Sequence, residues 1–224
     1  MTPLKSFLRK YILPIVSASL LLAVVKIFFV EQYAVPASCM SIGSLMAGDR
    51  VLANLTAYDF LGWKKSPQHN ALIAFHNPLG RTYPVEQRNI CISRVAALPG
   101  DTVWLDMDTK YASIYQASSA ALPFVLPKAG EKCAVAPHTA YLLWNALRLQ
   151  ENVATCLVNG TSLRRDGLPL DSVVFRHDCY WVDGYGMVSH DLLAGHVFCV
   201  SFSLDEAAPT FQRLRLDRLF LPLH

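Results

Sequence analysis

Charge is scarce in this chain, and what there is lies unevenly. Only 17% of the 224 residues are Asp, Glu, Lys or Arg, against 53% hydrophobic. A chain with so little charge and so much apolar content is not a disordered one. No acid precedes Glu31, whereas Lys5, Arg9, Lys10 and Lys26 do. Those four cations exceed the net charge of +3 by one, so the remainder carries −1. A near-neutral body has no basic footprint for a phosphate backbone, which excludes nucleic acid as a partner. Metal-ligand clusters are also lacking: Asp106 and Asp108 stand without a His or a third carboxylate, so no metal site is expected. No cofactor motif, internal repeat or low-complexity tract occurs, and no second long apolar run follows the first.

That first run, Tyr11 to Val30, is 20 residues broken only by Pro14, two serines and Lys26. A helix of this length covers a ~30 Å hydrocarbon core at ~1.5 Å per residue. The expectation is a single transmembrane helix over 11–30, retained rather than cleaved, with residues 1–10 as a cytoplasmic tail. Its basic flank places the N-terminus in the cytoplasm and the body on the outer side of a lipid bilayer. Six cysteines, at 39, 91, 133, 156, 179 and 199, fit an oxidising compartment. Cys133 and Cys156 flank a helix-like segment and are the candidate disulfide; the other thiols read as small buried hydrophobes.

Beyond the anchor, short strand patterns dominate. Arg50–Ala53, Ala71–Phe75, Ile90–Ala97 and Thr102–Leu105 are expected strands, the third ended by Leu98-Pro99-Gly100-Asp101. Ser172–Phe175, Tyr180–Val182, Val197–Phe202 and Phe211–Leu216 follow. In the last, Arg213, Arg215 and Asp217 alternate with Leu214 and Leu216, which reads as a half-exposed strand with a solvated arginine face that Arg218 joins. Thr139–Glu151 alone has helical spacing, through Leu142, Leu143, Ala146, Leu147 and Gln150. Asn159-Gly160 is a hairpin signal. Phe60, Leu61 and Trp63 suit either a lipid interface or ordinary packing. The fold class is mostly β, with one anchor helix and one small helix.

One ordered set of motifs is more specific than these pieces. Val35-Pro36-Ala37-Ser38-Cys39-Met40 closely follows the apolar run, then Leu45-Met46-Ala47-Gly48-Asp49-Arg50-Val51-Leu52. Some way on stands Ile92-Ser93-Arg94-Val95-Ala96-Ala97-Leu98-Pro99-Gly100-Asp101-Thr102-Val103. Gly186-Met187-Val188, Leu193-Ala194-Gly195-His196, Phe202-Ser203-Leu204-Asp205 and Arg213–Arg218 continue the series. The series resembles the type I signal peptidases, membrane-anchored Ser/Lys enzymes that cut signal peptides from exported proteins at the outer face of the membrane. The resemblance implies a β-barrel-type peptidase core over 31–106 and 179–224 and a helix-containing cap over 107–178. It implies no cofactor, and signal peptides or other extended segments of exported proteins as partners.

The residues depart from that family where chemistry is done. Counting from Pro36 and from Met40, the nucleophile position is Cys39. Counting back from Gly48-Asp49, the loop is one residue longer, so the register is open over 38–41, with Ser38 as the alternative nucleophile. Pro36 and Met40 are the implied substrate-binding positions. At the position of the family's general base, a lysine, stands Ser93. A third motif, which in the family supports that lysine, is largely missing around Trp181–Gly186. A thiol of pKa ~8.5 is only a few per cent thiolate near neutrality, so Cys39 needs a partner base. His76 is the candidate, and Ser38 or Ser41 with Lys64 or Lys65 is another pairing. The expected function is binding or processing of signal peptides by a weakly active or inactive relative. The alternatives are an atypical active peptidase using Cys39 or Ser38, and a non-catalytic structural or assembly domain.

Overall fold

The apolar run does not stay helical to its end. In the computed structural model, which describes residues 8–35, 44–80, 83–84, 87–106, 112–113, 121–205, 207–209 and 213–223, a π-helical turn at Leu8–Ile12 leads into α1, Leu13–Phe28. Its 16 residues measure ~24 Å. Among the described residues no helix is long and apolar enough to cross a membrane. The expected transmembrane helix over 11–30 therefore finds no support. The physical reason lies at its C-terminal end, where Val30–Ala34 is drawn into strand pairing as β1.

The strands then run β2 (Asp49–Asn54), β3 (Asp59–Phe60), β4 (Trp63–Lys64), β5 (Leu72–His76), β6 (Ile90–Ala97), β7 (Thr102–Leu105), β8 (Ala112–Ser113), β9 (Leu122–Val125) and β10 (Lys132–Ala134). Helix α2 occupies Ala140–Leu149. After it come β11 (Cys156–Val158), β12 (Ser162–Arg165), β13 (Leu168–Leu170), β14 (Ser172–Val174), β15 (Cys179–Val182), β16 (Gly186–Ser189), β17 (Leu193–Ser203) and β18 (Leu221–Pro222). The protein is mostly β, as expected. The chain divides into two units, one built from the described parts of 8–35, 44–65 and 195–223, the other from those of 66–194.

In the first unit β1, β2, β17 and β18 pair antiparallel in that order, with Tyr33 opposite Val51 and Val200 opposite Val51 on the other side. Val51 and Ala53 point into the core while Arg50 is exposed, the period-2 pattern of a half-buried strand. Gly195 lets β17 lie against β2, because a Cβ there would come within 2.5 Å of the Asn54 carbonyl oxygen. The hairpin β3–β4 turns through Leu61 and Gly62, with φ of 51° and 84°, the two left-handed positions of a type I′ turn. Its tip is bare: Leu61 and Trp63 are 84% and 83% exposed.

The strand expected over 211–216 is corrected here. Residues 211 and 212 lie outside the described residues. Leu214 makes a single bridge to Leu204, and Leu216–Arg218 is a 3-10 turn. The solvated arginine face is corrected too: Arg218 is buried, Arg215 is half-buried, and Leu214 and Leu216 face outward. Arg218 is held inward by Asp49, 169 residues away in sequence, and Arg215 by the nearby Asp205.

In the second unit β5, β6, β15 and β16 form an antiparallel sheet in that order. Strand β7 pairs with β8 on one side and β9 on the other, β10 pairs with β14, and β11–β12–β13 is a meander. Asn159 and Gly160, with φ of 52° and 72°, make the expected hairpin turn between β11 and β12. The core gathers Val103, Phe124, Leu126, Leu163 and Phe175 around α2. Helix α2 buries Ala140, Leu143, Ala146 and Leu147, one face at helical spacing. The expected Cys133–Cys156 disulfide is corrected: Cys133 and Cys156 are both free thiols. Cys133 instead packs against the core as a small hydrophobe.

Candidate functional site

Pairing of β5 with β6 sets Ile73 opposite Ser93, Phe75 opposite Cys91, and His76 opposite Ile90. Directly opposed residues of antiparallel strands share a face, and faces alternate along each strand. Ser93 therefore shares its face with Ile73, Phe75 and Cys91. His76 lies on the reverse face with Ala74, Ile90 and Ile92. Phe75 meets Tyr185 edge-on at 5.1 Å between ring centroids. The apolar wall expected of β6 is present: Ile92 and Val95 are fully buried, and Ser93 is 1% exposed.

The hydroxyl of Ser93 is committed. Its Oγ donates to the Asp183 carbonyl at 2.7 Å, and the Asp183 N–H returns a bond to the Arg94 carbonyl at 3.0 Å. A serine in this setting ties β6 to the turn after β15. It cannot take a proton from a nucleophile, because a hydroxyl becomes a base only well above neutral pH. Burial, with Arg88 second, holds the His76 imidazole below its ordinary pKa, so it is neutral near pH 7. Its chemistry suits a base, but its face does not suit a partnership at Ser93.

Pro36, Ser38, Cys39 and Met40 lie outside the described residues, as does Ser41. Lys64 and Lys65 are exposed, Lys64 on the β3–β4 hairpin.

Both Gly-Asp motifs build one and the same turn. In the first, Gly48 has φ +89°, the Asp49 N–H donates to the Met46 carbonyl at 3.1 Å, and Asp49 Oδ2 accepts the Met46 N–H at 2.8 Å. In the second, Gly100 has φ +88°, the Asp101 N–H donates to the Leu98 carbonyl at 2.9 Å, and Asp101 Oδ2 accepts the Leu98 N–H at 2.7 Å. Glycine supplies the left-handed third position, and aspartate clamps the turn from both sides. At Gly48 any Cβ would also collide with the Leu204 carbonyl oxygen.

The surroundings of the two acids differ. Asp101 faces His69 at 3.3 Å, both of them substantially exposed. Asp49 is completely buried and is gripped by Arg218, Nε to Oδ1 at 2.9 Å and Nη2 to Oδ2 at 2.6 Å. The same Nη2 donates to the Ser44 carbonyl at 2.7 Å. Burial alone would raise the Asp49 pKa, but the Arg218 bonds, the Met46 N–H and the Ser203 hydroxyl outweigh it and hold the carboxyl below its ordinary value. Sequence reasoning missed this pair. The available signal was the acid itself, since a buried Asp must find a cation or several donors.

The model of the family described as signal peptidase, peptidase S26, matches residues 8–117. The match, over just under half of the chain, supports membership of this signal peptidase family. The match takes in α1, the nucleophile region, both Gly-Asp turns and β6. No curated protein matches the chain. Within the signal peptidase pattern, the retained parts are those whose geometry is structural, Gly48-Asp49 and Gly100-Asp101. The altered position that the structure describes, Ser93, is where the resemblance places the proton acceptor.

Proposed function

We propose that this protein is a signal-peptidase-related factor that binds signal peptides or other extended segments of exported proteins, with little or no peptide-bond cleavage. The observation that carries the reading is Ser93, whose Oγ donates to the Asp183 carbonyl at the position of the family's lysine base. A serine or thiol nucleophile needs a base within ~3 Å, and the face that Ser93 occupies supplies apolar side chains instead. His76, on the reverse face, is no substitute there. Peptide binding needs no such base, because an extended segment adds to a strand edge through main-chain hydrogen bonds.

Membrane association belongs to the same proposal. The family acts on proteins leaving across a membrane, and α1 presents Leu13, Ile15, Leu20, Leu22 and Phe28 to the surroundings, each at least 61% exposed. A helix apolar on all sides is a lipid-embedded one. With Lys5, Arg9 and Lys10 before it, a basic flank adjoins that apolar helix and suits an anionic lipid surface. Phe60 of the β3–β4 hairpin contacts Phe29, just past α1, at 6.1 Å between centroids, so the bare hairpin tip dips into the same interface.

Incubation of the detergent-purified full chain with a signal-peptide-bearing preprotein tests the proposal, with Cys39→Ala and Ser38→Ala alongside. The expected result is co-purification of uncut preprotein. Cleavage lost in Cys39→Ala, or in Ser38→Ala alone, overturns it in favour of an atypical active peptidase and names the nucleophile. Neither cleavage nor co-purification leaves a structural domain.

A further inference from the structure

Two strand edges in the second unit end without a neighbour. Strand β9 pairs only with β7, and β10 only with β14, among the described residues. Backbone polarity along each strand follows from its paired side. Leu126 exchanges hydrogen bonds with Gly100 and Asp101 on the β7 side, each at 2.9 Å. The two-residue period then turns the backbone groups of Val125 and Pro123 the other way. Pro123, which has no N–H to donate, fits such an edge. On β10, the Val135 N–H donates to the Asp171 carbonyl at 2.9 Å on the β14 side. The N–H and C=O of Lys132 and Ala134 therefore face away from β14.

Between these edges lies a cleft of about 300 Å³, lined on one side by Pro123–Lys128 and on the other by Glu131–Ala134. His138 Nε2, 3.4 Å from the Pro123 carbonyl, stands at one end. Phe124 and Leu126 turn into the core, while the Val125 side chain is 55% exposed. Open edges template pairing with another chain, and natural proteins cover or charge them unless they are used. Here two edges border one cleft, and its charged side chains are Lys128, Lys132 and Glu131, a net positive lining that favours an acidic guest.

We propose that this cleft is a peptide-binding site that takes an extended segment carrying an acidic side chain, held as an added strand between β9 and β10. The guest exchanges main-chain hydrogen bonds with Val125 on one side and with Lys132 and Ala134 on the other. Its carboxylate meets Lys132 or Lys128. The insertion joins the β8–β7–β9 and β10–β14 sheets into one. The site uses no residue of the Ser93 face, so its failure leaves the proposed function standing, and the reverse holds as well.

The test is fluorescence anisotropy of a short labelled peptide of alternating Thr and Val with one central Asp, titrated with the full chain in detergent micelles. A backbone N-methylated copy and a Lys-centred copy are the comparisons. Saturable binding is expected, weakened about ten-fold by N-methylation and by Ala134→Pro, which removes one cleft-facing N–H and leaves the β14 side intact. Lys132→Glu is expected to reverse the preference toward the Lys-centred peptide. Amide exchange of the wild-type chain supplies a reading that does not depend on a proline variant folding: Val125, Lys132 and Ala134 slow on peptide addition. No saturable binding up to about 1 mM, or binding that leaves those three amides and the N-methylated affinity unchanged, overturns the site.

Discussion

The carboxylates of Asp49 and Asp101 close the same turn, each accepting the N–H three residues back, at 2.8 and 2.7 Å. They differ in what lies behind them. Asp49 also holds buried Arg218 by two bonds, whereas Asp101 meets His69 in partly open water. Asp49→Asn is therefore expected to cost about 3–5 kcal/mol, because it strands a buried guanidinium. Asp101→Asn is expected to cost about 1 kcal/mol, the size of one turn hydrogen bond. Urea unfolding of both variants, read by circular dichroism, checks the contrast; equal losses would mean that Arg218 contributes nothing beyond the turn.

Acid should expose the same pair. The folded-state pKa of Asp49 lies below its unfolded value, so folding is favoured most where the unfolded carboxyl is ionised too, above about pH 4. That contribution is lost as pH falls through the folded value. His76 titrates earlier with the same sign: its imidazole is held neutral, so its stabilisation is complete above about pH 6.5 and fades as pH falls through its lowered pKa. The expected stability curve declines in two stages on acidification. His76→Gln shrinks the upper stage, which His196, also held neutral by burial, shares, and Asp49→Asn shrinks the lower, as followed by thermal melts across pH. A single stage in the wild type, unmoved by either change, contradicts both assignments.

The strands and the small helix were legible because their signals are local. Ile90–Ala97 is a strand with the bounds that its apolar run and the Leu98-Pro99-Gly100-Asp101 stop imply, and the α2 stripe sits on the expected face. Local reading failed where a distant partner decides. Alternation over Arg213–Asp217 puts leucine in and arginine out, but Asp49, 169 residues from Arg218, reverses the assignment. The apolar run from Tyr11 reads as one helix until β2 captures Val30–Ala34. Cys133 and Cys156 look pairable around α2, yet each follows its own strand into a different small sheet. Nothing local reports which face of β5 carries His76 relative to Ser93; the register does.

Membrane contact by the β3–β4 hairpin predicts a specific fluorescence change. Trp63 is 83% exposed at a tip beside Leu61. With the full chain in vesicles containing brominated lipid, quenching should be larger for the wild type than for Trp63→Phe. Leu61→Asp should reduce it while changing folding stability by no more than about 0.5 kcal/mol, as for surface positions generally. Quenching that is the same in all three proteins would place the hairpin in water.

Ser93→Lys tests what the serine is for. The wild-type hydroxyl bonds the Asp183 carbonyl inside an apolar wall, so a lysine there loses that bond and buries its stem beside Phe75 and Ile73. Stability should fall by about 1–3 kcal/mol. Burial would lower the new amine's pKa toward neutrality, which is what a general base needs. If the loss of this base is what silences the chain, Ser93→Lys combined with Cys39→Ser should release some signal peptide from a preprotein, and Ser93→Lys alone should raise reactivity at Cys39. Cleavage would be measured by gel shift of the preprotein, with folding checked by circular dichroism. A folded double variant that still cuts nothing would show that Ser93 is not the deciding loss, and would move attention to the support that the family's third motif provides and Trp181–Gly186 lacks.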